Sequence, residues 1–269
     1  MQIAIIGCGN MGKALAQRLS HTNQLFLYDN HIEKAKLLAQ EGWGKACKEA
    51  RDALRNAEMI ILAVKPQNLK EAVASFKNSL QQHQVIVSLL AGTPVATLRQ
   101  YFPTAQIIRM MPNLALIHGE AVIGLSSDEN LKNEVKELLS KTCEVLGKIY
   151  WIPEEKMDAL TALASSGPAF FFAMVEAMID AGIAMGFAAK DAKGLVYQML
   201  QGSLALLEKT DKPPGDLIRQ IASPQGTTIA GLRKLEELAL RGSIISTFLA
   251  AYERACTLSM RFSAGGRIL

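Results

Sequence analysis

A glycine-rich turn near the start of the chain has the spacing of a phosphate-binding loop. Gly7, Gly9 and Gly12 follow an apolar run and open a segment with helical periodicity. In such a loop the first glycine permits a tight turn, the second lets the backbone approach a pyrophosphate, and the third allows close packing of helix on strand. Free N–H groups at the helix start favour an anion. The predicted phosphate-binding residues are Gly7, Gly9, Asn10, Met11 and Gly12.

An acidic residue follows the glycine-rich turn at the distance that dinucleotide sites require. Asp29 comes about 20 residues after the first glycine and ends the second predicted strand. There its carboxylate can accept hydrogen bonds from the adenosine ribose hydroxyls, which favours NADH and repels the 2′-phosphate of NADPH. No arginine follows, but Asn30 and Lys34 could accommodate that phosphate. The sequence leaves the choice between NADH and NADPH open, and it also leaves Asp29 as an ordinary turn residue.

Four further segments have a distinctive composition. They are Ala63-Val64-Lys65-Pro66, Met111-Pro112-Asn113, Ser165-Ser166-Gly167-Pro168-Ala169 and Ser223-Pro224-Gln225-Gly226-Thr227-Thr228. In this order, and along the whole chain, they resemble the pyrroline-5-carboxylate reductase family, and the last segment is the most diagnostic. The resemblance implies hydride transfer from NADPH or NADH to the cyclic imine carboxylate 1-pyrroline-5-carboxylate, which forms L-proline in the last step of proline biosynthesis.

The resemblance also implies which residues contact the cofactor beyond the phosphates. Six residues would line or lie near the nicotinamide ribose side, namely Val64, Lys65, Pro66, Ala91, Gly92 and Asn113. Lys65 has an ordinary alternative as a solvated charge at a strand end, because exposed lysine is common.

The Ser-Pro-Gln-Gly-Thr-Thr segment is the predicted substrate site. Pro224 and Gly226 shape a turn, and a helix that opens at Thr227 or Thr228 exposes free backbone N–H groups that suit a carboxylate. By resemblance, the Thr228 hydroxyl hydrogen-bonds the imine nitrogen and is the catalytic group. Alternatively, both threonines are only helix N-caps. The predicted substrate-binding residues are Ser223, Gln225, Gly226, Thr227 and Thr228.

The sequence departs from the family pattern at two places. Gln225 stands where a second glycine is usual, and Leu114-Ala115 follows Asn113 where Thr-Pro is usual. We expect the first change to narrow the substrate loop and the second to alter the wall near the nicotinamide. Neither change removes a group that the chemistry requires.

No strong acid, catalytic dyad or metal site is evident in the sequence. A protonated imine is already electrophilic, so orientation and electrostatic support should dominate catalysis. The four histidines lie outside the diagnostic segments, and we expect none to act as the acid. The four cysteines are far apart, without a histidine at metal spacing, so neither a metal site nor a disulfide framework is predicted.

The elements that must position these residues alternate between strand and helix up to Ile152. Alternation predicts a parallel sheet and an α/β fold, with a Rossmann-type dinucleotide-binding domain over residues 1–152. From Pro153 onward only helical patterns occur, so residues 153–269 should form an all-α dimerisation and substrate-binding domain. The predicted strands are Gln2–Ile6, Gln24–Tyr28, Met59–Val64, Val85–Leu90, Ile107–Met111, Ala121–Leu125 and Ile149–Ile152.

Partners and location follow from composition and patterning. Residues 168–189 are apolar nearly all round, but Glu176 and Asp180 interrupt them, which argues against a membrane span. A helix of this kind is buried in a large core or between subunits, which predicts a homodimer and leaves higher homo-oligomers open. The net charge of +4 comes without a basic stripe, so nucleic acid is not an expected partner. No export signal is visible, so we expect a cytoplasmic protein.

Two other functions fit a dinucleotide domain followed by helices. A β-hydroxyacid dehydrogenase typically uses a lysine with an asparagine four residues later, and this sequence has no such pair. A non-catalytic NAD(P) sensor is not excluded by the fold alone. A sensor, however, has no need of a turn that suits a small anionic substrate.

Overall fold

The computed structural model describes residues 1–127 and 131–263. Its strands, β1 to β8 in chain order, are Gln2–Ile6, Gln24–Tyr28, Lys45–Ala46, Met59–Leu62, Val85–Ser88, Gln106–Met111, Ala121–Ser127 and Gly147–Trp151. They form one eight-stranded sheet in the order β3-β2-β1-β4-β5-β6-β7-β8. The order reverses between β1 and β4, which is where doubly wound sheets bind dinucleotides beyond the carboxyl ends of their strands. The predicted Rossmann-type α/β fold is confirmed.

Neighbouring strands of the sheet are parallel except at one pair. β6 and β7 are antiparallel, with Met110 opposite Leu125. Only a short 3₁₀ turn, Leu114–His118, lies between these two strands. A parallel return needs a crossover of a dozen or more residues, so this short connection reverses the chain direction. The prediction of a parallel sheet therefore holds for the other pairs and not for this one.

The first seven helices, α1 to α7, belong to the part of the chain that contains the sheet. They are Asn10–Leu19, Ile32–Gln40, Ala50–Leu54, Leu69–Ala74, Val95–Tyr101, Asn133–Cys143 and Met157–Leu160. One face of the sheet packs against α1, α2 and α6, and the opposite face packs against α3, α4 and α5. β1 shows the alternation, because Ile3 and Ile5 join one core while Ala4 and Ile6 join the other.

The later helices, α8 to α12, are Gly167–Ala184, Ala189–Lys209, Pro214–Ile221, Thr227–Glu237 and Leu240–Ser263. Beyond Trp151 the described residues contain no strand, and the predicted all-α part is confirmed. By its contacts the chain divides into one unit of residues 1–166 with the end from Ala251, and a second unit of residues 167–250. The division after Ile152 stays a prediction, and residues 264–269 of that predicted domain lie outside the described residues.

Inside the second unit, α8 and α9 pack closely through small residues. A Cβ atom at Gly182 would lie 2.9 Å from the Cβ atom of Ala192, which is itself buried. At the start of α8, the Phe170 ring meets the edge of Phe248 at a centroid distance of 5.2 Å. These contacts leave most of α8 uncovered within the chain, since only Gly167, Val175 and Gly182 of this helix are buried.

The helix after β5 is capped by a residue that is distant in the sequence. α5 begins at Val95 with Pro94 as its N-cap, and no local side chain caps it. The Val95 N–H instead donates to Oε1 of Glu154 over 3.1 Å. The same oxygen accepts from Nη1 of buried Arg109 over 2.8 Å. A distant carboxylate therefore replaces the local cap and ties β6 to the chain just beyond the sheet.

One stretch of the described residues is long and apolar enough to cross a membrane by length and composition. It runs from Glu154 to Ala184, and only 17% of its most apolar window is buried. Core helices of soluble proteins are often as long and as apolar as this stretch. Contiguous apolar surface that is exposed in a single chain commonly marks an interaction site.

Candidate functional site

The glycine-rich turn after β1 leaves no room for side chains at two of its glycines. Gly7 has φ of +105°, and a Cβ atom there would lie 2.6 Å from the carbonyl oxygen of Ala63, just beyond β4. A Cβ atom on Gly12 would overlap the Gly7 carbonyl oxygen. Gly9 differs, because a Cβ atom there would meet no atom within 4 Å. The space above Gly9 is therefore open, as a pyrophosphate requires.

Helix α1 begins directly at this open space. Gly9 is its N-cap, with no side-chain capping hydrogen bond, and the first helical bond runs from Lys13 N–H to the Gly9 carbonyl over 2.8 Å. The N–H groups of Asn10, Met11 and Gly12 consequently have no partner within the helix. The cradle and these donors fit the pyrophosphate of a dinucleotide.

Asp29 ties the glycine turn to the end of β2. Its Oδ2 accepts the Cys8 N–H over 2.8 Å and its Oδ1 accepts the His31 N–H over 2.9 Å. The Lys34 ammonium lies 3.8 Å from Oδ1. A carboxylate oxygen has two acceptor sites, so each oxygen can still receive a ribose hydroxyl. Asp29 is therefore more than an ordinary turn residue, although its contact with a cofactor stays a prediction.

Cys8, inside the glycine turn, is held as a neutral thiol. Burial raises its pKa to about 12, and the nearby Asp29 carboxylate adds to the rise. The thiol lies 3.7 Å from the Tyr28 carbonyl oxygen. At neutral pH the turn thus adds no thiolate charge that would repel phosphates.

One pocket of about 470 Å³ collects much of the predicted cofactor site. It brings together five predicted residues from three chain segments, namely Gly7, Gly9, Asp29, Val64 and Lys65. Pro66 opens the short 3₁₀ turn that follows. Sequence reasoning missed Tyr28, Asn68 and Glu71, which also line the pocket. Asn68 and Glu71 could have been found, because they follow β4 at the carboxyl edge of the sheet.

The predicted residues after β5 and β6 lie on separate loops of the first unit. Gly92 has φ of +68°, and a Cβ atom there would lie 3.1 Å from the backbone of Leu258 in α12. Ala91 precedes it in the same loop. The Asn113 amide donates to the Ala164 carbonyl over 2.9 Å. These positions fit the loops expected at the nicotinamide side, whose contacts stay predictions.

Two of the diagnostic segments meet through hydrogen bonds. Besides the bond from Asn113, the Ser165 hydroxyl donates to the Pro112 carbonyl over 3.0 Å. Ser165 lies in a π-helical stretch, Thr161–Ser166, that leads into α8. π-Helical turns are frequent at functional sites. Hydrogen bonds thus join the Met-Pro-Asn segment to the start of the Ser-Ser-Gly-Pro-Ala segment.

The predicted substrate turn lies in the second unit. Gly226 is the N-cap of α11, and its N–H donates to the Ser223 carbonyl over 3.1 Å. Because no side chain caps this helix, Thr227 and Thr228 are not the N-caps considered above. Among the described residues neither threonine hydroxyl makes a hydrogen bond. Free N–H groups and free hydroxyls suit an anionic ligand.

The departure at Gln225 falls on a strained backbone position. Gln225 has φ of +61°, the left-handed region that favours glycine. A residue with a Cβ atom there costs about 1 kcal/mol. At the adjacent Gly226, a Cβ atom would overlap the Ser223 hydroxyl oxygen, so the Ser223 side chain would have to rotate away. The backbone at Gln225 therefore has a conformation that glycine adopts easily, although this residue carries an amide side chain.

Comparisons with known proteins support a single family. The family model described as pyrroline-5-carboxylate reductase dimerisation matches residues 154–258, and the one described as NADP oxidoreductase, coenzyme F420-dependent, matches residues 2–92. A pyrroline-5-carboxylate reductase of Methanosarcina acetivorans is 31% identical over 97% of this chain and 98% of its own length. The crystal structure of a Plasmodium falciparum pyrroline carboxylate reductase with NADP bound is 26% identical, with a TM-score of 0.87, over 96% of this chain and 98% of that one.

We predict that Gly9→Val abolishes cofactor binding without unfolding the protein. The valine side chain would fill the space above the turn, yet the position has no neighbour within 4 Å to disturb. Titration with NADH and NADPH should show no saturable binding, while the melting temperature stays near that of the parent chain. Gly202→Ala is the matched control, because this helical glycine also has open space around it. Saturable binding in folded Gly9→Val would contradict the assigned site.

Proposed function

The chain belongs to the pyrroline-5-carboxylate reductase family, and on that ground we propose that it reduces 1-pyrroline-5-carboxylate to L-proline with NADH or NADPH. This reaction is the last step of proline biosynthesis. The observation that carries the proposal is the pairing of two anion-binding helix starts in one chain. α1 begins over an open glycine cradle, and α11 begins at a turn with two free threonine hydroxyls.

Each helix start has a separate task in the proposed reaction. The N–H groups of Asn10 and Met11 hold the cofactor phosphates, and Asp29 accepts the ribose hydroxyls. The N–H groups at the start of α11 hold the substrate carboxylate. The bound cofactor supplies the hydride. The Thr228 hydroxyl hydrogen-bonds the imine nitrogen and keeps the electrophilic carbon oriented, which is the main contribution needed from the protein.

The exposed apolar surface of the second unit supports a homodimer. Phe172 on α8 is 64% exposed and Leu204 on α9 is 56% exposed. The matched family model is described as a dimerisation region and covers these helices. We assign this surface to a second copy of the chain rather than to lipid, because Glu176 and Asp180 lie exposed on the same helix.

A cytoplasmic location fits the state of the cysteines. All four are free, and Cys8, Cys47 and Cys143 are buried. Burial raises the pKa of Cys143 to about 12, which keeps this thiol unreactive. Buried free thiols without disulfides are typical of a reducing compartment.

The test of the reaction is oxidation of NADH and NADPH by the purified protein with 1-pyrroline-5-carboxylate. We expect saturable turnover, and we expect Thr228→Ala to lower kcat/KM by about 10- to 10³-fold, the usual range for the loss of one positioned donor. The cofactor dissociation constant should stay unchanged, because Thr228 is assigned to the substrate.

Thr228→Ser is the matched variant, since it keeps the hydroxyl and should retain most of the rate. Equal rates in Thr228→Ala and the parent chain would remove this hydroxyl from the mechanism. Turnover of a 3-hydroxy acid instead of the imine would assign the chain to a β-hydroxyacid dehydrogenase. Cofactor binding without any turnover would favour the sensor.

We predict that Phe172→Asp weakens self-association by about 10²-fold or more, because a charge would be buried at the apolar contact. Light scattering after size-exclusion chromatography should show a dimer for the parent chain and a monomer for the variant at the same concentration. Leu37→Asp is the control, since Leu37 lies on α2 of the first unit and is 61% exposed, close to the 64% of Phe172. A monomeric parent chain, or dissociation by Leu37→Asp, would contradict the assigned interface.

A further inference from the structure

We infer that the adenosine end of the cofactor pocket selects NADH over NADPH through two carboxylates, Asp29 and Glu71. The inference rests on the cofactor site of the proposed function and extends it to cofactor choice. Asp29 comes from the end of β2 and Glu71 from α4, and both line the same pocket. NADPH differs from NADH by the 2′-phosphate, which adds about two negative charges beside the adenosine ribose.

Asp29 cannot turn away from that ribose without breaking its own contacts. Both carboxylate oxygens accept backbone N–H groups, from Cys8 and His31, and the side chain is only 12% exposed. An ionised carboxylate only accepts hydrogen bonds. It can receive a ribose hydroxyl but gives nothing to a phosphate, which it repels.

The side chain of Asn30, which follows Asp29, also interacts with a carboxylate. The Asn30 amide nitrogen donates to Oε1 of Glu71 over 3.1 Å, and the Tyr28 hydroxyl donates to the Asn30 amide oxygen over 3.1 Å. Sites for NADPH place an arginine near the ribose to accommodate the 2′-phosphate. Here the neighbouring side chain is neutral, and it holds an additional negative charge at the edge of the pocket.

The positive groups at this end do not compensate for a phosphate. Lys34 lies 3.8 Å from Asp29 and is half exposed, so its charge is partly matched and screened. Lys65 lines the pocket where the chain leaves β4, on the predicted nicotinamide side. His31 supplies a backbone donor to Asp29. A 2′-phosphate would therefore face two carboxylates with one nearby lysine, whereas the hydroxyl of NADH would meet an acceptor.

The test is titration of the full-length protein with NADH and with NADPH, by calorimetry, without imine substrate. We expect the parent chain to bind NADH at least about 10-fold more tightly. Glu71→Gln should strengthen NADPH binding by about threefold and leave NADH binding unchanged, because it removes one exposed like charge. Adding Asn30→Arg to Glu71→Gln should strengthen NADPH binding by about 10-fold or more, since arginine then has no carboxylate partner at position 71.

Glu33→Gln is the matched control. Glu33 is an exposed carboxylate on α2 that pairs with Lys36 and does not line the pocket. Equal or tighter binding of NADPH by the parent chain would overturn the inference, as would equal responses to Glu71→Gln and Glu33→Gln. Selective binding of NADH by a protein that does not reduce the imine would refute the proposed reaction and leave the selectivity standing, because binding is measured without substrate.

Discussion

The cofactor site depends on one steric constraint, the contact between the turn after β1 and the chain leaving β4. A Cβ atom on Gly7 would clash with the Ala63 carbonyl oxygen. A Cβ atom on Gly12 would clash with the Gly7 carbonyl oxygen. The absence of both side chains lets α1 start at the carboxyl edge of the sheet, directly beside the reversal of strand order. Asp29 then bonds the same turn from β2. These contacts fix three parts of the site relative to one another. The parts are the N–H groups at the start of α1, the Asp29 carboxylate and the loop after β4.

Much of the fold could be predicted because its strands are buried runs with clear ends. β1 and β2 have the predicted bounds. The missed elements are β3 and α3, of two and five residues, too short for any periodicity. The first N–H of α5 is bonded by Glu154, a partner 59 residues away. Such contacts exist only after the chain has folded.

Part of the candidate site could also be predicted from the sequence. Glycine spacing and a strand end identified Gly7, Gly9 and Asp29, and the family resemblance added Val64 and Lys65. The structure collects all five in one pocket. The hydrogen bond between Asn30 and Glu71 joins residues that are 41 positions apart in the sequence, so no local pattern predicts it. The strain at Gln225 was likewise hidden, because backbone φ is not encoded in composition.

The most direct test of the account follows the hydride itself. The protein would be given 1-pyrroline-5-carboxylate with nicotinamide cofactor that carries deuterium at the transferred position of its C4 atom, and the product would be analysed by mass spectrometry and NMR. The account predicts L-proline with one deuterium at C5, the former imine carbon. Proline without deuterium, or no proline while the labelled cofactor binds, would contradict it.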